Sequence, residues 1–138
     1  MLEVSTIGAG GGSIAWVNPL TGRLEVGPQS AGSMPGPACY DTGGREPTVT
    51  DADLILGYIN PDRFVGGKIS LNAERAHMIM EAKVAKPLGM DVAEAAAAVK
   101  LIVDGHAGND LFKNIALRGL KPNDFAVFAF GGAGPTHA

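Results

Sequence analysis

Apolar and polar positions alternate over short stretches at the start of the chain and recur at helical spacing in its middle. Leu2 to Ile7 predicts a short strand that runs into Gly8-Ala9-Gly10-Gly11-Gly12-Ser13, a glycine run no helix tolerates. Ile14 to Val17 and Leu24 to Val26 predict two further strands. Between them, Asn18-Pro19-Leu20-Thr21-Gly22 supplies the preset φ of proline and the positive φ of glycine, so Ile14 to Val26 reads as a hairpin. Gly27 to Pro47 is polar and rich in Pro and Gly, and predicts a long functional loop. Thr50 is placed to cap a short helix, with Asp51 and Asp53 at the positive end of its dipole and Ile55-Leu56 facing inward. Ser70 or Asn72 caps a second helix from Ala73 to about Ala85, ended by Pro87 and Gly89. Asp91-x-x-Glu94 forms a capping box for a third helix reaching about Leu117. Val92, Ala95, Val99, Ile102 and Val103 give that helix one apolar face. Gly105 and Gly108 predict a kink in it. Asp124 to Phe130 is an apolar run read as a buried strand, entering Gly131-Gly132-Ala133-Gly134-Pro135. The fold class expected is α/β, one domain over residues 1–138, with strands at both ends and a helical middle.

Composition narrows the function classes. Hydrophobic residues are 46% and charged residues 18%, which predicts a surface largely covered by other polypeptide. A strand and glycine turn at 124–135 should lead into a helix, so the chain is expected to be a fragment or split subunit completed by another polypeptide. Oligomeric assembly is expected for the same reasons. The net charge of −3, with no basic patch, argues against nucleic acid. A single cysteine, Cys39, excludes a disulfide framework and a zinc ribbon and fits a cytoplasmic location. No stretch reaches the roughly 18 apolar residues that span a membrane, so no membrane association is expected.

Chemistry concentrates in the two glycine clusters. A glycine turn after a strand lets backbone N–H groups approach a phosphate or a flat base with no Cβ in the way. Tight turns explain such glycines as readily, and neither cluster fits a Walker or dinucleotide fingerprint. Asp51 and Asp53 read as a metal pair or, preferably, as helix capping. Glu46, Asp51 and His106 are weak catalytic candidates, and Thr50 flanks the same loop. Cys39 reads as a small buried or loop thiol before a nucleophile. His77 reads as a surface residue, His106 as a residue of the kinked helix, and His137 as a contact to ligand or to missing chain. The three histidines lack metal-ligand spacing, so no metal ligands are assigned. Trp16 and Phe64 read as packing residues.

Several runs occur in the order and spacing of one known family: Thr6 to Ala15, Gly27-Pro28-Gln29-Ser30-Ala31-Gly32, Pro35 to Tyr40, Glu46 to Ala52, Pro87-Leu88-Gly89 and Phe130 to Ala138. Over nearly its whole length the chain resembles the middle region of the hydantoinase A/5-oxoprolinase family, related to subunits of acetone and acetophenone carboxylases. The resemblance implies part of an actin/sugar-kinase-like ATPase fold using ATP and Mg²⁺. It implies that Gly131, Gly132, Ala133, Gly134 and His137 line the adenosine part of the cleft, and that Gly10, Gly11, Gly12 and Ser13 lie nearer the phosphates. It also implies a larger subunit or a missing N-terminal part, since the family's Asp-x-Gly-Gly-Thr phosphate loops are not in this sequence. Without them, the isolated chain is expected to be inactive. The activity implied is ATP-dependent opening of a small cyclic amide of the hydantoin or 5-oxoproline type. The alternatives are a ketone carboxylase subunit and a non-catalytic nucleotide-binding or assembly module. Asp104-Gly105-His106-Ala107-Gly108-Asn109-Asp110 departs from the family pattern, which has Met and no glycines there. That departure leaves the carboxylase branch open.

Overall fold

The computed structural model describes residues 4–138. Two antiparallel strands, β1 (Ser13–Val17) and β2 (Leu24–Ser30), form the expected hairpin, with Ala15 opposite Val26 and Val17 opposite Leu24, but β2 continues past Val26 to Ser30, into the stretch expected to be loop, because Ser30 pairs with Ser13. A register shift between Ser13 and Ala15 lets Ile14 bridge to Thr48 instead. Helix α1 (Val49–Ile55) lies against the long helices α2 (Ala73–Met80) and α4 (Val92–Ala116). α2 continues through a π-turn at Glu81–Ala85 into α3 (Lys86–Leu88) and stops where Gly89 takes φ 66°. A short α5 (Ala133–Thr136) follows the second glycine cluster.

The core forms where these elements meet. Val92, Ala95, Ala96, Val99 and Val103 are buried on one stripe of α4 and meet Val49, Ala52, Met80, Val84 and the hairpin's Ala15 and Val26. The alanines keep α4 thin on that side, so helices can approach closely. A second cluster, Cys39, Leu54, Leu71 and Ala76, seats the long loop against α1 and α2.

Asp51 ties the loop to α1. Its carboxylate, with the residue fully buried, accepts hydrogen bonds from the backbone N–H of Ala38 (3.2 Å), Cys39 (2.8 Å) and Thr48 (2.9 Å), and from the Thr48 hydroxyl (2.8 Å). Thr48 and Asp51 thereby form a capping box for α1. The cap is Thr48 and not Thr50. Thr50 is inside the first turn, where its hydroxyl donates to the Gly11 carbonyl at 2.9 Å. Asn72 and Asp91 cap α2 and α4 as expected.

Three expectations need correction. Residues 4–7 carry no strand, and the remainder of the Leu2–Ile7 run falls outside the described residues. α4 runs unbroken through Gly105 and Gly108. A helix-interior glycine costs only about 1 kcal/mol, which a long cooperative helix absorbs. Asp124 to Phe130 is not a buried strand: after a turn at Pro122–Asp124 it lacks regular structure, and Phe125, Val127, Phe128 and Phe130 are exposed. An apolar run becomes a strand only beside a ladder partner, and the sheet among the described residues holds only β1 and β2. The strands therefore lie near the N-terminal end alone, in a helix-rich mixed fold.

Removing the Asp51 carboxylate strands buried donors from two segments at once. Asp51→Ala should lower unfolding free energy by about 3–5 kcal/mol, measured by denaturant titration. A loss below about 1 kcal/mol would contradict the assigned role.

Candidate functional site

The first glycine cluster is a tight turn packed on its neighbours. Ser13 N donates to the Gly10 carbonyl at 3.0 Å, and Gly10 N donates to the Ser13 hydroxyl at 3.2 Å. The Gly11 and Gly12 carbonyls accept from Thr50 N (2.9 Å) and Ala31 N (2.8 Å). A Cβ on Gly11 would lie 2.6 Å from the Thr50 hydroxyl, and one on Gly12 would lie 2.7 Å from that of Ser30. At these two positions a side chain would have to displace a neighbouring hydroxyl. Gly10, Gly132 and Gly134 differ, since a Cβ there meets nothing within 4 Å. Gly131 takes φ 84°, which L side chains rarely adopt.

The fold brings the two clusters together. Gly11, Gly12, Gly132 and Ala133 border one cavity of about 520 Å³, with Asp53 and Tyr58 on its wall. Gly10, Gly134 and His137 border an adjoining cavity of about 270 Å³, which shares Ala133. Ser13 and Gly131 line neither; Ser13 is buried behind the turn.

A polar cluster joins the C-terminal segment to the helices. His137 follows α5 and is largely buried; its Nε2 faces Asp53 Oδ2 of α1 at 2.9 Å, and its Nδ1 faces Asp104 Oδ1 of α4 at 2.6 Å. Lys100, one turn before Asp104, donates to Asp104 Oδ2 at 2.8 Å and to the Thr136 carbonyl at 3.1 Å. Burial pushes the Asp53 carboxyl above its usual value, against the opposing pull of His137 and Lys100. Asp104 also feels desolvation, but hydrogen bonds from Lys100 and His137 outweigh it and hold the carboxyl below the usual range.

The remaining candidates lie elsewhere. Glu46 forms a half-exposed ion pair with Lys83. Asp51 is saturated by its four donors. His106 is exposed beside Glu25 at a separate cavity, and His77 is exposed on α2. Cys39 is buried, and burial with the nearby Asp51 pushes its thiol well above the ordinary range, which disfavours the thiolate a nucleophile needs. No group of three His, Cys, Asp or Glu side chains among the described residues could hold a metal. Sequence reading missed Lys100 and Asp104, although their i,i+4 spacing is a readable ion-pair signal. It also missed Asp53 as the partner of His137.

Two glycine turns and a buried histidine–carboxylate cluster thus border two adjoining cavities. Residues 1–138 match the hydantoinase/oxoprolinase family, and the chain belongs to that family. It is 55% identical over 137 residues to the acetophenone carboxylase gamma subunit of Aromatoleum aromaticum, an alignment covering 99% of this chain and 19% of that protein. The crystal structure of the ATP-dependent caprolactamase from Pseudomonas jessenii superposes with a TM-score of 0.88 at 45% identity, over 99% of this chain and 20% of that one. Acetone carboxylase in a nucleotide-free structure gives a TM-score of 0.88 at 38% identity, over 95% of this chain and 18% of that one. The chain thus spans about a fifth of the length of these relatives. No helix among the described residues is long and apolar enough to cross a membrane.

The two shifted carboxylates respond oppositely to acid. For Asp104, lowered in the folded state, stabilisation is complete above the ordinary value of 3.8 and is lost as pH falls through the folded value. For Asp53, raised in the folded state, stability is lost as pH rises from 3.8 through the folded value. Asp104→Asn should therefore lower the melting temperature at neutral pH, with the deficit shrinking in strong acid. A deficit independent of pH would contradict the charged pairing.

Proposed function

We propose that this chain forms one wall of the nucleotide cleft of an ATP-dependent enzyme that activates a carbonyl oxygen. The carrying observation is that two glycine clusters from opposite ends of the sequence border one cavity. Open space beside Gly132 and Gly134 suits close approach of a nucleoside to bare backbone. The buried, unpartnered Asp53 Oδ1 beside the cavity supplies an acceptor such a ligand can use. Bound ATP would supply the phosphoryl group that activates the carbonyl. Gly132, Ala133 and Gly134 shape the nucleoside wall, Gly10 to Ser13 form the turn nearer the phosphates, and His137 holds the two parts in register. In this reading the chain is part of an actin/sugar-kinase-like ATPase fold.

Mg²⁺ does not fit the residues described. A magnesium site is built from carboxylates and phosphate oxygens, and both oxygens of Asp104 and one of Asp53 are already engaged. Its ligands belong to another part of the enzyme, with the acidic phosphate loops. The exposed Phe125, Val127, Phe128 and Phe130 offer that remainder an apolar surface to cover. Assembly with a larger subunit accords with relatives that are named as subunits.

The reaction proposed first is hydrolysis of a small cyclic amide, in keeping with the caprolactamase relative. Ketone carboxylation is the second reading, favoured by the 55% identity to the acetophenone carboxylase subunit. One assay on the assembled enzyme separates them. ADP release should depend on caprolactam, 5-oxoproline or hydantoin in the first case, and on acetone or acetophenone with bicarbonate in the second. No substrate-dependent ADP release with either set would overturn both.

Gly132→Ala tests the wall itself. Its φ of −80° admits alanine and the added Cβ meets nothing within 4 Å. The melting temperature should stay unchanged while ATP affinity falls about tenfold or more, read by calorimetry on the assembled enzyme. Unchanged affinity would remove Gly132 from the nucleotide wall.

A further inference from the structure

Asp53 is almost entirely buried, at 2% exposure, yet it borders the larger cavity. Its Oδ2 faces His137, while Oδ1 is closed off from solvent with no hydrogen-bond partner. Of the four carboxylate oxygens that Asp53 and Asp104 bring to this cluster, Oδ1 of Asp53 is the one without a partner. A buried acceptor without a donor is costly, and native structures leave few of them without a role. Protein groups nearby do not supply the donor: Lys100 Nζ faces Asp104, the Thr136 carbonyl and His137 Nδ1, and His137 presents its ring nitrogens to Oδ2 and to Asp104.

The chemistry of this oxygen selects its ligand. A divalent cation needs several oxygens converging on it, and only one is unpartnered here. A phosphate would face carboxylates at close quarters and be repelled. A neutral O–H or N–H donor meets neither objection, and a hydrogen bond to a charged acceptor is among the stronger kinds.

We infer that Asp53 determines specificity for the nucleoside end of the bound nucleotide, its Oδ1 accepting a hydrogen bond from a ribose hydroxyl or from the exocyclic amine of adenine. The inference rests on the nucleotide-cleft reading and adds an orientation to it. The nucleoside lies between Asp53 and Gly132, and the phosphate chain points away from the carboxylate pair.

The test measures nucleotide affinity, in the enzyme assembled with its partner, by calorimetry. Four probes are used: ATP, 2′-deoxy-ATP, 3′-deoxy-ATP and purine riboside triphosphate, which lacks the exocyclic amine. The wild type should bind one of the three analogues about 10-fold to 100-fold more weakly than ATP, and that analogue names the donor. In Asp53→Ala the same analogue should bind no worse than ATP. Should the alanine variant fail to fold, Asp53→Asn keeps the shape and drops the charge, and must shrink the same penalty. An undiminished penalty in the variant overturns the inference and leaves the nucleotide reading intact, as does equal binding of all four probes by the wild type. Failure of ATP to bind the wild type overturns the reading, and this inference with it.

Discussion

The Asp51 carboxylate gathers donors from Ala38, Cys39 and Thr48 at a point no water reaches. An acceptor so placed has no exchange partner in solvent, so moving α1 or the loop means giving up several hydrogen bonds for nothing. The constraint therefore fixes three things together: the start of α1, the path of the long loop, and the seat of Thr50 on the Gly11 carbonyl. The first glycine turn inherits its position from that seat. The cavity wall is in this sense a consequence of one buried carboxylate.

Two residues further along the same helix, Asp53 faces another direction, because positions i and i+2 on a helix do not share a side. Asp51 looks to the loop and Asp53 to the C-terminal segment. One short helix thus organises both walls of the cavity, using a saturated carboxylate for stability and a half-satisfied one at the site. The second arrangement is weaker. Residues 125–135 are exposed throughout, and the segment is tied to α1 and α4 through His137 and the Thr136 carbonyl.

Local chemistry was the legible part. The hairpin turn, the Asn72 cap and the Asp91–Glu94 box each depend on residues a few positions apart, and they form as read. Thr48 was missed in favour of Thr50 because each has an aspartate three positions on; what sets Thr48 apart is that its partner Asp51 also gathers the Ala38 and Cys39 amides of the distant loop, which spacing does not show. The reading of 124–130 failed for a different reason. Burial of an apolar run depends on a neighbouring strand, and that information lies outside the run itself. The glycines were legible as backbone devices, but not their division of labour. Only contact geometry separates Gly11 and Gly12, where a Cβ would press on a neighbouring hydroxyl, from Gly10, Gly132 and Gly134, which face open space. The Asp53–His137–Asp104 cluster joins residues from α1, α4 and the end of the chain, and no spacing rule links them.

Photolabelling with 8-azido-ATP shows whether the glycine clusters form the proposed nucleotide wall. The assembled enzyme is irradiated with the label, digested, and its modified peptides are mapped by mass spectrometry. Such a wall predicts label within residues 131–137 or on Tyr58 across the cavity, suppressed by excess ATP. Label confined to other parts of the enzyme, with none on this chain, would contradict it.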